Sequence, residues 1–297
     1  MATPFKSGFI AIIGPPNVGK STLLNTLIGE KVSIVTPKPQ TTRNRIIGIK
    51  NLPQGQLIFV DTPGIHQTQK KFNLHLVQVA QAAFRESDLI LVMVEAFRTQ
   101  PDEDFLYVKE GLQGIEKPVL LLINKIDLIE KKALLPLIDT YRSLFPFQEI
   151  VPLSGLTGLG TDGLERSLLK YLPEGPRYFP EDMYTDQPER FLVAEIIREK
   201  IFMLLHQEIP YSIAVEVNEF SERDSGVVFV RASIWVERPS QKKILIGRKG
   251  QMLKEIGKRS REEVERFLNR NVYLDLWVTV KKNWTLNEVA IRQSLYS

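Results

Sequence analysis

Gly14-Pro15-Pro16-Asn17-Val18-Gly19-Lys20-Ser21 follows directly on the apolar run Phe9 to Ile13. A buried strand that stops at Gly14, a turn that wraps back and a helix that opens near Lys20 would aim successive backbone N–H groups at one anionic site. Each residue type has a chemical reason to be there. Glycines let the main chain approach oxygen, Lys20 supplies a point charge to β and γ phosphates, and Ser21 offers a hydroxyl to Mg²⁺. The stretch predicts a strand, loop and helix around a phosphate, and hence an α/β P-loop domain.

The surrounding sequence has the matching rhythm. Leu57 to Val60, Leu89 to Val94, Val119 to Ile123 and Ile150 to Leu153 are strand-sized runs of Ile, Val and Leu, as expected of parallel strands covered on both faces; Arg45 to Lys50 reads as one strand more. Ser21 to Leu27, Leu74 to Arg85, Asp102 to Gly111, Ala133 to Phe145 and Gly163 to Tyr171 have helical spacing or helix-start residues. Ligands of such a sheet bind beyond the carboxyl ends of its strands.

Two further motifs stand at those ends. Asp61-Thr62-Pro63-Gly64 follows Leu57 to Val60, so that Asp61 can hold Mg²⁺ through a water and the Gly64 N–H can sense a third phosphate. Asn124-Lys125-Ile126-Asp127 follows Val119 to Ile123. The Asp127 carboxylate can accept two hydrogen bonds from the N1–H and amino group of guanine, a pair that adenine lacks. Lys125 can lie along the ring, Asn124 can tie neighbouring loops, and Ser154-Gly155-Leu156 can present backbone N–H to the guanine oxygen.

These motifs, in this order, resemble the GTPase superfamily over the whole first domain. Gly14-Pro15-Pro16-Asn17, the loop Gln40-Thr41-Thr42-Arg43 and a basic second domain are similar to the Era family of bacterial GTPases. The resemblance implies that Thr42 completes the Mg²⁺ shell in the GTP state, within a first switch over Lys38 to Arg45. A second switch would run from Asp61 to Phe72. Gly155 stands where alanine is more usual. Ile65 occupies the position where many small GTPases carry a water-orienting glutamine. An aliphatic group cannot polarise water, so another group must supply charge and positioning. Related GTPases with this substitution imply that Asn17 coordinates a potassium ion bridging the phosphates; the plainer reading makes Asn17 a turn residue. Lys20, Thr42, Gly64 and Asn17 are thus the expected catalytic set. Arg43 and Arg45 could serve as an internal arginine finger, but the favoured reading makes them exposed cations.

The chain has 297 residues, 43% of them hydrophobic, enough for two domains. With Cys 0, disulfides, thiolate zinc sites and thiol catalysis are excluded. His66, His75 and His206 have no metal-ligand spacing. No leader-like or bilayer-length run is seen, which predicts a cytoplasmic protein. The net charge of +4 is unevenly spread: Lys242 to Arg261 holds eight basic residues and the single acid Glu255, a local +7 that leaves −3 for the rest. A polyanion-binding surface is expected there.

Leu172 to Pro180 and on through Pro188 is proline-rich and reads as a linker. The expected division is a G domain at 1–172, a linker at 173–189 and a smaller α+β domain at 190–297. In the last, a helix (Arg190 to Gln207) precedes strands at Ser212 to Phe220 and Val227 to Val236. A strand-like run then enters Ile246-Gly247-Arg248-Lys249-Gly250, followed by two short helices and a strand at Val272 to Val280. The two glycines let backbone approach a sugar-phosphate chain, and Arg248, Lys249, Lys254 and Lys258 face it. This order resembles a type II KH domain and implies RNA binding. Trp235 and Trp277 read as core residues, and Trp284 is left open.

The favoured function is a GTP-hydrolysing switch; the resemblance implies binding of small-subunit ribosomal RNA near its 3′ end during assembly of the small ribosomal subunit, by a monomer. The alternatives are a constitutive RNA-binding protein in which GTP is only structural, and a membrane-surface protein. For the latter, basic segments attract anionic lipid and the family resemblance implies peripheral association.

Overall fold

The structure, a computed structural model, describes residues 4–39, 41–64, 82–98, 100–205, 209–287 and 289–291. It divides into two compact units, Met1–Ser33 with Thr42–Asp186, and Ile34–Thr41 with Gln187–Ser297. The segment expected as the first switch is therefore shared, with Lys38 to Thr41 in the second unit and Thr42 onward in the first. Most of the second switch, the helix expected at Leu74 to Arg85 apart from 82–85, Ile65 and all three histidines lie outside the described residues.

The first unit is one sheet in the order β2-β3-β1-β4-β5-β6. Its strands are β1 (Lys6–Ile13), β2 (Ile46–Leu52), β3 (Gly55–Asp61), β4 (Leu89–Glu95), β5 (Val119–Asn124) and β6 (Glu149–Pro152). With them come α1 (Lys20–Ile28), α2 (Glu103–Gly111), α3 (Leu134–Arg142) and α4 (Thr161–Tyr171). Every residue of β3, β4 and β5 is buried, which is why these segments read as unbroken apolar runs. β1, β3, β4, β5 and β6 pair in parallel, so their carboxyl ends, at Gly14, Asp61, Glu95, Asn124 and Ser154, lie along one edge. β2 departs from the parallel expectation and runs antiparallel to β3. Only Pro53 and Gln54 separate the two strands, and so short a link can join only antiparallel neighbours.

The proline-rich stretch expected as a linker belongs to the first unit as far as Asp186. Its backbone has no ladder of its own and takes partners from β2 and β3. Tyr178 and Phe179 donate their N–H groups to Gln56 Oε1 at 2.9 and 3.0 Å. Ile49 N donates to Tyr184 O at 2.9 Å, and Thr185 Oγ1 to Ile47 O at 2.7 Å. The outer edge of β2 is thereby covered rather than left open to another chain.

In the second unit β7 (Ala214–Glu222), β8 (Val228–Val236) and β9 (Val272–Val280) form a sheet in that order, β7 antiparallel and β9 parallel to β8. Residues of α5 (Glu189–Leu204), α6 (Pro239–Ile246) and α7 (Gln251–Leu268) share a buried cluster with one sheet face, including Val193, Ile197, Val230, Ile234, Leu245 and Val264.

Three expectations are corrected here. The run at Ile244 to Ile246 ends a helix, α6, which starts with Pro239 in its first turn and the Gln241 side chain accepting from the Glu237 and Arg238 N–H groups. The two short helices are one, α7, because the buried positions Ile256, Ser260, Val264 and Leu268 keep one inward face that runs on past Gly257. Trp277 is 60% exposed, since odd-numbered positions of β9 point away from the helix-covered face; its Nε1 donates to Asp275 Oδ2 at 3.0 Å. Trp235 is fully buried, and Trp284 meets it edge-on at 6.2 Å while donating to Ser212 O at 3.0 Å. No helix among the described residues is long and apolar enough to cross a membrane.

Candidate functional site

The loop after β1 turns through positive φ at Gly14, Asn17 and Gly19 before α1 opens at Lys20. Gly19, at φ 101°, disfavours any side chain: a Cβ there would be strained and would lie 2.4 Å from Asn124 Nδ2. Asn124 uses that approach to tie two loops, donating to Val18 O and accepting from Gly155 N, each at 2.8 Å. The Lys20 ammonium, 6% exposed, donates to Gly14 O at 3.1 Å and Pro15 O at 2.9 Å. Burial pushes its pKa down to about 8, against the pull of Asp61.

Ser21, Thr42 and Asp61 converge. Ser21 Oγ donates to Asp61 Oδ2 at 2.6 Å, the Ser21 and Thr42 hydroxyls lie 2.9 Å apart, and Thr42 Oγ1 is 3.5 Å from the same carboxylate oxygen. Ser33, which the sequence reading missed, donates to Asp61 Oδ2 at 3.0 Å; nothing in its local pattern distinguishes it from a turn serine. Burial raises the Asp61 carboxyl, opposed first by the Ser21 hydrogen bond and then by Lys20. Asp61 Oδ1 is buried with no hydrogen-bond partner. Two hydroxyls and one carboxylate, one of whose oxygens is buried and unpartnered, form an all-oxygen donor set that suits Mg²⁺. Thr62 points elsewhere, its hydroxyl donating to Ile12 O at 2.9 Å; Pro63 is buried, and Gly64 lies against Pro16.

At the end expected to read guanine, Asp127 is exposed and makes no hydrogen bond or ion pair among the described residues, leaving both carboxylate oxygens available. Ile126 N donates to Leu153 O at 3.3 Å and fixes the loop. Lys125 does not lie free for stacking: its Nζ donates to Asn17 O at 2.9 Å and pairs with Glu95. Of the three donors expected at Ser154 to Leu156, two are occupied, Ser154 N by Leu159 O and Gly155 N by Asn124 Oδ1. The Leu156 N–H remains. Arg43, expected at the surface, is buried at 4%, next to Thr42 at 8%; Arg45 pairs with Glu86 at 2.6 Å.

In the second unit, Gly247 closes α6 at φ 73°, and Lys249 (φ 50°) and Gly250 (φ 78°) turn the chain into α7. A Cβ on Gly247 would stand 2.7 Å from Met252 Cβ. Lys243, Arg248, Lys249 and Lys254 are exposed, and with Lys242 they form no ion pair among the described residues. Ile246 is half-buried beside them. Lys258, Arg259 and Arg261 instead face Glu262, Glu255 and Glu265 one helical turn away, at 3.9, 2.6 and 4.0 Å. The unneutralised charge is thus gathered at the turn and the start of α7.

Residues 9–125 match the family model for 50S ribosome-binding GTPases, and residues 208–285 match the KH domain model. The chain is 52% identical over 295 residues to GTPase Era of Geobacter metallireducens, covering 99% of each, and 53% identical over 294 residues to GTPase Era of Syntrophus aciditrophicus, covering 99% of this chain and 96% of that one. A crystal structure of an Aquifex aeolicus Era variant bound to GDP and AlF4⁻ superposes with a TM-score of 0.95 at 46% identity, over 99% of this chain and 100% of that one. A structure of Era in complex with MgGDPNP and nucleotides 1506–1542 of 16S ribosomal RNA does so with a TM-score of 0.95 at 46% identity, over 99% of each.

Proposed function

This chain belongs to the Era family of GTPases, and from that premise we propose that it is a GTP-hydrolysing switch that binds small-subunit ribosomal RNA near its 3′ end and acts in assembly of the small ribosomal subunit. The observation that carries this is the presence in one chain of a free guanine-reading carboxylate, Asp127, and an unneutralised basic turn, Gly247 to Gly250. In this reading residues 1–172 handle GTP and GDP, and 190–297 handle RNA.

The Gly14 to Ser21 loop holds the phosphates through its N–H groups and α1. Lys20 leaves the carbonyls of Gly14 and Pro15 for the β and γ phosphates, and Gly64 N–H meets the third phosphate. Ser21, Thr42 and Asp61 would hold Mg²⁺, which supplies charge neutralisation on the phosphate oxygens when bound. Asp127 reads N1–H and the amino group of guanine, with Leu156 N–H on the ring oxygen and Asn124 fixing both loops. Asn17 is exposed at positive φ in the phosphate loop, and its side chain would hold a potassium ion, which would supply the charge that Ile65 cannot. Turnover in potassium and in sodium, with and without Asn17→Ala, tests that role; equal rates in all four conditions reject it.

GTP favours one arrangement of the switches, that arrangement favours RNA, and hydrolysis reverses it. The test is affinity for the 3′ segment of small-subunit ribosomal RNA with a non-hydrolysable GTP analogue, with GDP and without nucleotide. Tightest binding with the analogue is expected, and equal affinities would make GTP a structural ligand only. The protein works in the cytoplasm. Flotation with anionic vesicles at varied salt asks whether lipid competes for the same basic turn.

A further inference from the structure

Glu95 closes β4, whose other residues are all apolar. It is 7% exposed, and a carboxylate so placed is costly unless paired on both oxygens. Oε2 accepts from Arg98 Nε at 2.7 Å, and Oε1 pairs with the Lys125 ammonium. Lys125 Nζ also donates to Asn17 O at 2.9 Å and stands 5.4 Å from the centre of the Phe97 ring. Beyond Arg98 the chain of contacts reaches Asp102, whose Oδ1 accepts from Phe105 N at 2.8 Å and caps α2. Two acids and two bases make a neutral group that starts on a helix cap and ends on a carbonyl of the phosphate loop.

Lys125 has φ 66°, a left-handed conformation uncommon for a lysine. A long, mobile side chain is held at its tip by a buried carboxylate on one side and the loop carbonyl on the other. Asp127, two residues on, reads the base, while Asn17 belongs to the loop that grips the phosphates. The Lys125 ammonium therefore spans the two halves of the nucleotide site, and Glu95 fixes where it stands.

We propose that Glu95 is a positioning residue for the nucleotide, holding Lys125 between the guanine loop and the phosphate loop so that their separation is set before GTP arrives. This rests on the nucleotide reading given above. Glu95 touches Lys125 and not the phosphate loop, and Lys125 meets Asn17 at its backbone carbonyl and not at the side chain assigned to potassium, so the effect of Glu95 is expected on binding and not on the hydrolytic step.

The test measures release of fluorescent GDP by stopped flow, and single-turnover hydrolysis of saturating GTP, in the full chain. Glu95→Gln keeps the shape and removes the charge; GDP release is expected to accelerate about tenfold with hydrolysis of bound GTP changed by less than about twofold. Glu95→Asp keeps the charge on a shorter stem and should fall between, at about threefold. Arg98→Gln, which frees one oxygen of the same carboxylate, should also give about threefold and serves if Glu95→Gln does not fold. Unchanged GDP release in these variants, or an equal loss in hydrolysis and release, overturns the proposal. Asp127→Asn in the same assay reports on the guanine reading itself, since a failure to move preference from GTP to xanthosine triphosphate would sink that reading whatever Glu95 does.

Discussion

The turn at Gly14 to Ser21 and the turn at Gly247 to Gly250 use the same backbone device on opposite electrostatic terms. Each passes a non-glycine residue through positive φ, Asn17 at 63° and Lys249 at 50°, and each enters its helix from a left-handed glycine, Gly19 and Gly250. In the first turn the cation is buried and already bonded to two carbonyls. In the second, Arg248 and Lys249 are exposed and unpaired by any described acid. Burial fixes stereochemistry and selects one ligand, at the cost of displacing internal bonds when it binds. Exposure gives a grip that tolerates many ligands and is screened by salt. On the proposed reading, one chain holds a selective phosphate site and a permissive one.

The largest effect expected from this contrast is at the selective site. Asp127→Asn removes an ionised acceptor of two hydrogen bonds and should weaken GTP by about a thousandfold while favouring xanthosine triphosphate, measured by calorimetry. A loss below about tenfold would mean that guanine is held elsewhere and that the site is less selective than its geometry implies.

At the permissive site the readout is salt. Replacing Arg248 and Lys249 together by alanine should weaken single-stranded RNA by about twentyfold at 0.1 M salt and flatten the log–log salt slope by about 1.4. GTP affinity should not move. An unchanged slope would place the phosphates away from this turn.

The pH response separates the two turns again. Folding lowers the Lys20 pKa to about 8, so the cost of a buried ammonium weighs on the nucleotide-free fold below pH 8 and is relieved as pH rises through that value. Nucleotide binding has the opposite sign, because phosphate prefers the ammonium. Affinity should be level just below pH 8 and then fall about tenfold per unit above it, with proton uptake visible as a dependence of the binding enthalpy on buffer. RNA affinity, which does not draw on Lys20, should not share this break.

The central strands of the first unit, β3, β4 and β5, were legible because they are buried on both faces and so spell nearly unbroken apolar runs, and the acids and amides at their ends, Asp61, Asn124 and Asp127, stand out against that background. The helix α6 was not. Ile244 to Ile246 is too short to show a period, and the deciding signals were Pro239 and the Gln241 side chain at the other end. Trp277 was misread for a different reason: alternation shows that two faces exist but not which one the helices cover. The use of Gly155 N–H by Asn124 joins residues 31 apart, and nothing local to either predicts it. Docking of Tyr178 to Thr185 along β2 and β3 depends likewise on an open edge that only the assembled sheet reveals.

The smallest expected effect tests the contrast within a single helix. Lys254 and Lys258 lie one turn apart on α7 and both read from sequence as RNA contacts, yet Lys258 Nζ stands 3.9 Å from Glu262 and Lys254 faces no described acid. A partly neutralised ammonium releases fewer counterions from a phosphate chain than an isolated one. Lys254→Ala should therefore cost about fivefold in RNA affinity at 0.1 M salt and lower the slope by about 0.7. Lys258→Ala should cost less than about twofold, and because the pair is largely exposed it should alter stability by less than about 0.5 kcal/mol. Removing the neutralising carboxylate has the converse effect: Glu262→Gln should tighten RNA binding in the wild type and have no effect once Lys258 is alanine. Equal losses at the two lysines would show that local ion pairing does not grade the permissive surface.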